Sequence, residues 1–159
     1  MPKLDVDEIQ QANRTGYPSP YDEAVAGRWW RRLGPIVGLT HMGASHVVLE
    51  PGAWYSQRHW HDDEDELVVV LTGCAVLVEG PAGEEPKRTP LNPGDICSWA
   101  SGDGIAHHIV NESEEPCSFL AVSAGNSQGS GGYADIDMVF NADRYFRKDG
   151  TAYPTELLR

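Results

Sequence analysis

Three histidines and one glutamate carry the chemistry that this sequence can offer. His59 and His61 close the stretch Gly52-Ala-Trp-Tyr-Ser-Gln-Arg-His59-Trp60-His61. On an extended strand alternate side chains share a face, so both imidazoles point one way and Trp60 points the other. After the acidic run Asp62 to Asp65, Glu66 opens the apolar run Leu67 to Leu71 and can set a carboxylate beside those rings. His107, in the stretch Gly94 to Asn111, supplies a third imidazole. Nitrogen and oxygen donors of this kind suit one divalent first-row ion, Fe, Zn, Mn or Ni.

Three neutral imidazoles and one carboxylate leave such an ion with net positive charge and, if it is six-coordinate, with two open positions. A vicinal hydroxy-carbonyl or enediol fits that geometry. Metal polarisation would acidify its α-proton, and a base that shuttles the proton completes an isomerisation. With iron the same positions hold substrate and dioxygen together, which is the dioxygenase alternative. A further reading has no turnover: a barrel that binds a sugar or organic anion through its metal. Tyr55 and Gln57 share the inward face with His59 by strand alternation and are the expected substrate contacts. Both are poor bases at neutral pH, so no catalytic residue is assigned.

The elements that must position these groups are short β-strands. Apolar runs recur at His46 to Leu49, Leu67 to Leu71, Ala75 to Glu79, Ile96 to Ala100, His108 to Val110 and Ser118 to Ser123. Between them stand Glu50-Pro51-Gly52, Gly80-Pro81-Ala82-Gly83 and Asn92-Pro93-Gly94, each pairing a restricted proline with a permissive glycine at a corner. No sustained helical period appears. The pattern predicts an all-β antiparallel barrel over residues 39–124, an N-terminal arm over 1–38 and a C-terminal arm over 125–159 packed on the barrel.

The two histidine-bearing stretches resemble the paired motifs of the cupin superfamily. His59, His61, Glu66 and Gly73 match the first, with one residue more than usual between Gly52 and His59. Gly94, Gly102, His107 and Asn111 match the second, with Ala100 where proline is usual and a longer gap before His107. These departures touch loops and leave every ligand type in place. The resemblance implies a double-stranded β-helix, or jelly-roll barrel, with His59, His61, Glu66 and His107 as metal ligands. It extends to small single-domain bacterial cupins labelled sugar-phosphate isomerases or simply cupin-domain proteins. The spacing to Asn111 selects His107 over His108 as the inward ring, which leaves His108 outward. Leu67, Val69 and Leu71 face away from the ligands and need a cover, either a second sheet or a partner subunit. Because members of the family commonly pair through such faces, a homodimer is expected.

Other signals are weaker. The acidic run Asp62 to Asp65 reads as a solvated turn, since it lacks the glycine of a calcium loop. His41 and His46 read as structural histidines. Gly125-Asn-Ser127-Gln-Gly129 matches a nucleophile pattern, but the residues that follow cannot start the helix such an elbow requires. Cys74, Cys97 and Cys117 are widely spaced and odd in number, which fits reduced core thiols better than a disulfide framework. With 24 acidic against 12 basic side chains the net charge is −12, which repels nucleic acid and anionic lipid. No segment approaches a membrane span and Met1 to Gln10 has no apolar leader core, so a soluble cytoplasmic protein acting on a small molecule is expected.

Overall fold

The computed structural model describes residues 3–126, 128–142 and 144–156. Ser127 lies outside them. Among the described residues the chain forms thirteen strands: β1 (Arg28–Arg32), β2 (Met42–Leu49), β3 (His59–His61), β4 (Glu64–Thr72), β5 (Ala75–Pro81), β6 (Lys87–Leu91), β7 (Ile96–Trp99), β8 (Ile105–Val110), β9 (Cys117–Gly125), β10 (Ser130–Tyr133), β11 (Val139–Asn141), β12 (Arg144–Phe146) and β13 (Ala152–Glu156). They make two antiparallel sheets, ordered β1-β2-β9-β4-β7 and β13-β12-β11-β10-β3-β8-β5-β6. This is the two-sheet, all-β architecture of a jelly roll. None of its helices is long and apolar enough to cross a membrane, among the described residues.

Alternation along β4 shows how sequence builds both core and site. Glu64, Glu66, Val68 and Val70 share the inward face, so the strand carries carboxylates at one end and buried valines at the other. The valines join Val47, Leu49, Leu77, Ile109 and Phe119 in the core between the sheets. Burial of such side chains contributes about 1.5–3 kcal/mol each. A second cluster, built on Tyr17, Val25, Tyr133, Met138, Phe140 and Tyr145, ties the N-terminal segment to the strands after residue 129. The flanking segments are thus knitted into the sheets: β1 pairs with β2, and β10 pairs with β3.

Several positions differ from the sequence expectation. Leu67, Leu71 and Ile96 remain 37%, 43% and 65% exposed, because the second sheet packs on the opposite face of theirs. The acidic run is an exposed bend only at Asp62 and Asp63. Glu64 and Asp65 belong to β4, and Asp62, Asp63 and Asp65 accept hydrogen bonds from Ser130 and Ser101, fastening two loops. His108 does point away from His107, yet it is buried: it packs edge-on against Trp54 at 4.4 Å, with Nδ1 3.2 Å from the Ser56 carbonyl oxygen. Of the cysteines, only Cys117 is fully buried, while Cys97 is half-buried and Cys74 exposed. His41 is exposed, whereas half-buried His46 meets Arg31 at 3.3 Å.

Two motif residues do structural work. Gly73 has φ +69°, and a Cβ there would stand 2.7 Å from the Pro116 carbonyl oxygen, so only glycine fits this turn. Asn111 is fully buried. Its amide donates to the carbonyls of Leu49 and Glu115 at 3.0 and 2.8 Å, and its Oδ1 accepts from Ser113 N and Oγ.

Candidate metal centre

β3 and β4 bring His59, His61 and Glu66 to one point, and β8 sets His107 against Glu66. His59 and His61 project together from β3, and His59 pairs in register with His107 on β8. The Nε2 atoms of His59 and His61 are 3.0 Å apart. Glu66 Oε2 lies 3.0 Å from His107 Nε2 and 3.8 Å from His61 Nε2. Ligand atoms of His59, His61 and Glu66 all fall within 4.8 Å of one another.

Each imidazole is held from behind through Nδ1. That atom of His59 faces the Gln57 carbonyl at 3.0 Å, that of His61 faces Glu64 Oε2 at 3.4 Å, and that of His107 faces the Ile105 carbonyl at 3.1 Å. For His59 and His61 these acceptors place the ring proton on Nδ1 and turn the Nε2 lone pair inward. Two lone pairs at 3.0 Å call for a positive charge between them, and His107 Nε2 stands within hydrogen-bond distance of the Glu66 carboxylate at their side. A metal with bonds of roughly 2.1 Å would space neighbouring donors roughly 3.0–3.4 Å apart. The donor set therefore fits a single metal ion.

Electrostatics agree. Burial, followed by the neighbouring imidazoles of His61 and His107, pushes His59 well below its ordinary value, so it is neutral at pH 7. Burial alone would raise the Glu66 carboxyl, but the hydrogen bond with His107 and the surrounding imidazoles outweigh it and hold the group at about 2, ionised. Trp99 lies flat on His107, with its indole N–H donating to Glu79 Oε2 at 3.1 Å.

A cavity of about 390 Å³ opens over His59, His61 and Glu66. Tyr55 lines it, its hydroxyl 3.5 Å from Glu66 Oε1. Gln57 does not. Residues 55–58 bend rather than run as a strand, so alternation fails there, Ser56 faces the cavity, and the Gln57 amide donates to the Tyr21 carbonyl at 2.8 Å. Glu64 also lines the cavity. Its membership of an acidic run hid it, although its two-residue spacing from Glu66 was the signal. The remaining wall comes from the flanks: Arg14, Arg28 and Arg32 on one side, Tyr133, Phe140 and Tyr145 on the other.

Residues 45–123 match the Cupin domain family model. A Silicibacter pomeroyi protein described as a sugar phosphate isomerase from a cupin superfamily is similar over 96% of both chains, with 36% identity and a TM-score of 0.86. An Acidithiobacillus ferrooxidans protein described as a sugar phosphate isomerase is 28% identical over 84% of this chain and 83% of its own, with a TM-score of 0.65. A Thermotoga maritima protein shares the fold at 22% identity, over 78% of this chain and 99% of its own, with a TM-score of 0.59. No curated protein matches the chain. The chain belongs to the cupin superfamily.

Proposed function

We propose that this cupin is an enzyme of the isomerase type, acting on a small oxygenated metabolite at one divalent metal held by His59, His61, Glu66 and His107. The observation that carries the reading is the convergence of His59, His61 and the ionised Glu66 on the floor of a 390 Å³ cavity, with His107 Nε2 3.0 Å from Glu66 Oε2. The kind of chemistry is supported by the 36% identical relative described as a sugar phosphate isomerase. The ion would act as a Lewis acid on a hydroxy-carbonyl group. Tyr55 would touch the substrate. Burial, then the charge of Glu66, raises its hydroxyl above the ordinary phenol value, so it stays protonated and donates a hydrogen bond instead of taking a proton. Gln57 contributes from behind by tying the His59 turn to the N-terminal segment. We also propose that two copies pair through the outer face that bears Leu67, Leu71 and Ile96.

Metal analysis tests this reading directly. The protein purified without added metal is expected to carry one equivalent of Fe, Zn, Mn or Ni, and His59→Ala to lose it while keeping its far-UV spectrum. Incubation with hydroxyaldehydes and hydroxyketones in D2O should place deuterium α to the carbonyl. Stoichiometric metal in His59→Ala at unchanged affinity would overturn the site. Dioxygen uptake on enediols in place of deuterium exchange would make the protein a dioxygenase, and ligand uptake with neither reaction would make it a binding protein.

A further inference from the structure

Resting on the reading of this cavity as the substrate site, we propose that its β1 wall is an oxyanion receptor, with Arg28, Arg32 and Arg14 holding a phosphate or carboxylate group of the substrate while its oxygenated end faces the histidines. Alternation along β1 puts Arg28, Trp30 and Arg32 on one face, in register with Leu49, Val47 and Ser45. Arg14 follows the bridge between Ala12 and Trp30. All three arginines line the cavity.

Basic side chains are scarce here, 12 against 24 acidic, and three other arginines already have carboxylate partners. Arg31 meets Asp7, Arg58 meets Asp135, and Arg88 meets Glu112. Among the described residues no carboxylate lies within 4.0 Å of Arg14, Arg28 or Arg32. Arg28 donates from Nη1 to the Tyr55 carbonyl at 2.6 Å, yet its buried Nε has no partner. A buried donor left unsatisfied is costly, and a guanidinium offers parallel N–H groups that match an oxyanion. The Glu64 and Glu66 charges in the same cavity are turned to the histidines, not to these arginines.

Strand order sets the size of what fits. β1 is separated from β4 by β2 and β9, so the two strand axes stand roughly 14 Å apart along the sheet. Arg32 shares a cross-strand row with Ser45, Ala121 and Val68, one inward position from Glu66. The arginine and glutamate side chains close much of that span, and the remaining gap takes a small polyol-like chain carrying an anion, longer than a bare anion.

Calorimetric titration with inorganic phosphate and with acetate tests the receptor, on the wild-type protein and on Arg14→Gln, Arg28→Gln, Arg32→Gln and His61→Ala. Wild type is expected to bind a probe, and each arginine substitution to weaken it about tenfold with metal content unchanged. His61→Ala should lose metal but keep probe binding. Preference for phosphate identifies a phosphomonoester substrate, and preference for acetate a carboxylic acid. If Arg28→Gln fails to fold, the exposed Arg14 and Arg32 carry the test. Metal-loaded wild type that binds neither probe, or arginine variants that bind as tightly as wild type, would overturn the receptor. Arginine-dependent binding in a protein that carries no metal would overturn the metal reading and leave the receptor standing.

Discussion

The imidazole of His107 lies on the indole of Trp99 with ring centroids 3.7 Å apart and planes 9° apart. Trp99 is itself pinned through its N–H to Glu79, so the ring plane of His107 is fixed on one side by stacking and at Nδ1 by the Ile105 carbonyl. Stacking of this kind contributes about 0.5–1.5 kcal/mol. Trp99→Leu should leave the barrel folded and weaken metal retention roughly tenfold, read by competition with a chelator. Equal retention in the variant would show that the stack does not position the ligand.

Arg58 is almost wholly buried, donates to Asp135 from Nε and Nη2 at 2.8 and 2.6 Å, and reaches the Gly80 carbonyl from Nη1. It anchors the residue before His59 to the loop beyond β10. Asp135→Ala removes a half-exposed carboxylate from a buried cation, a loss of ~2 kcal/mol after allowance for solvent screening at Asp135. Thermal unfolding should shift down by roughly 4–8 °C.

His108 gives the fold a pH dependence. Burial, opposed by its hydrogen bond to Ser56, lowers the imidazole from 6.5 to about 4. The unfolded chain therefore binds a proton more readily than the folded one over that window. Stability is complete above about pH 6.5 and falls as pH drops through about 4, by ~3 kcal/mol in the limit. Urea midpoints at pH 7 and 4.5 should converge in His108→Gln relative to wild type, and an unchanged difference would refute the assignment.

The outer face of the first sheet offers a test of assembly. Ile96 is 65% exposed beside Val69, its register partner, with Leu67 on the same side of the strand. Ile96→Asp should convert a dimer to a monomer in sedimentation velocity without loss of metal. A wild-type protein that sediments as a monomer would rule the pairing out.

The core strands and the His59–His61–Glu66 cluster were legible because period-two alternation and histidine spacing are local signals. What escaped the sequence was non-local. β1 reads as Arg-Trp-Trp-Arg-Arg, a run with no apolar alternation, and becomes a strand only because β2 lends it an edge. β10 hides in a glycine-rich stretch because a Cβ at Gly132 would stand 2.5 Å from Trp60 Cη2, so the small residue makes room for the indole of the neighbouring strand. Glu64 looked like one acid among many until the strand boundary moved to include it. Strict alternation also overreached, since it carried Gln57 across a bend where the period does not hold.

The cavity draws its floor and its walls from different parts of the chain: the candidate ligands in it fall between His59 and Glu66, while the arginines precede them and Tyr133, Phe140 and Tyr145 follow. Reactivity and admission are therefore written in separate stretches. Drift in either flank can change which molecule is let in while the reacting centre is inherited intact, so one ancestral barrel can diversify its diet from the edges inward.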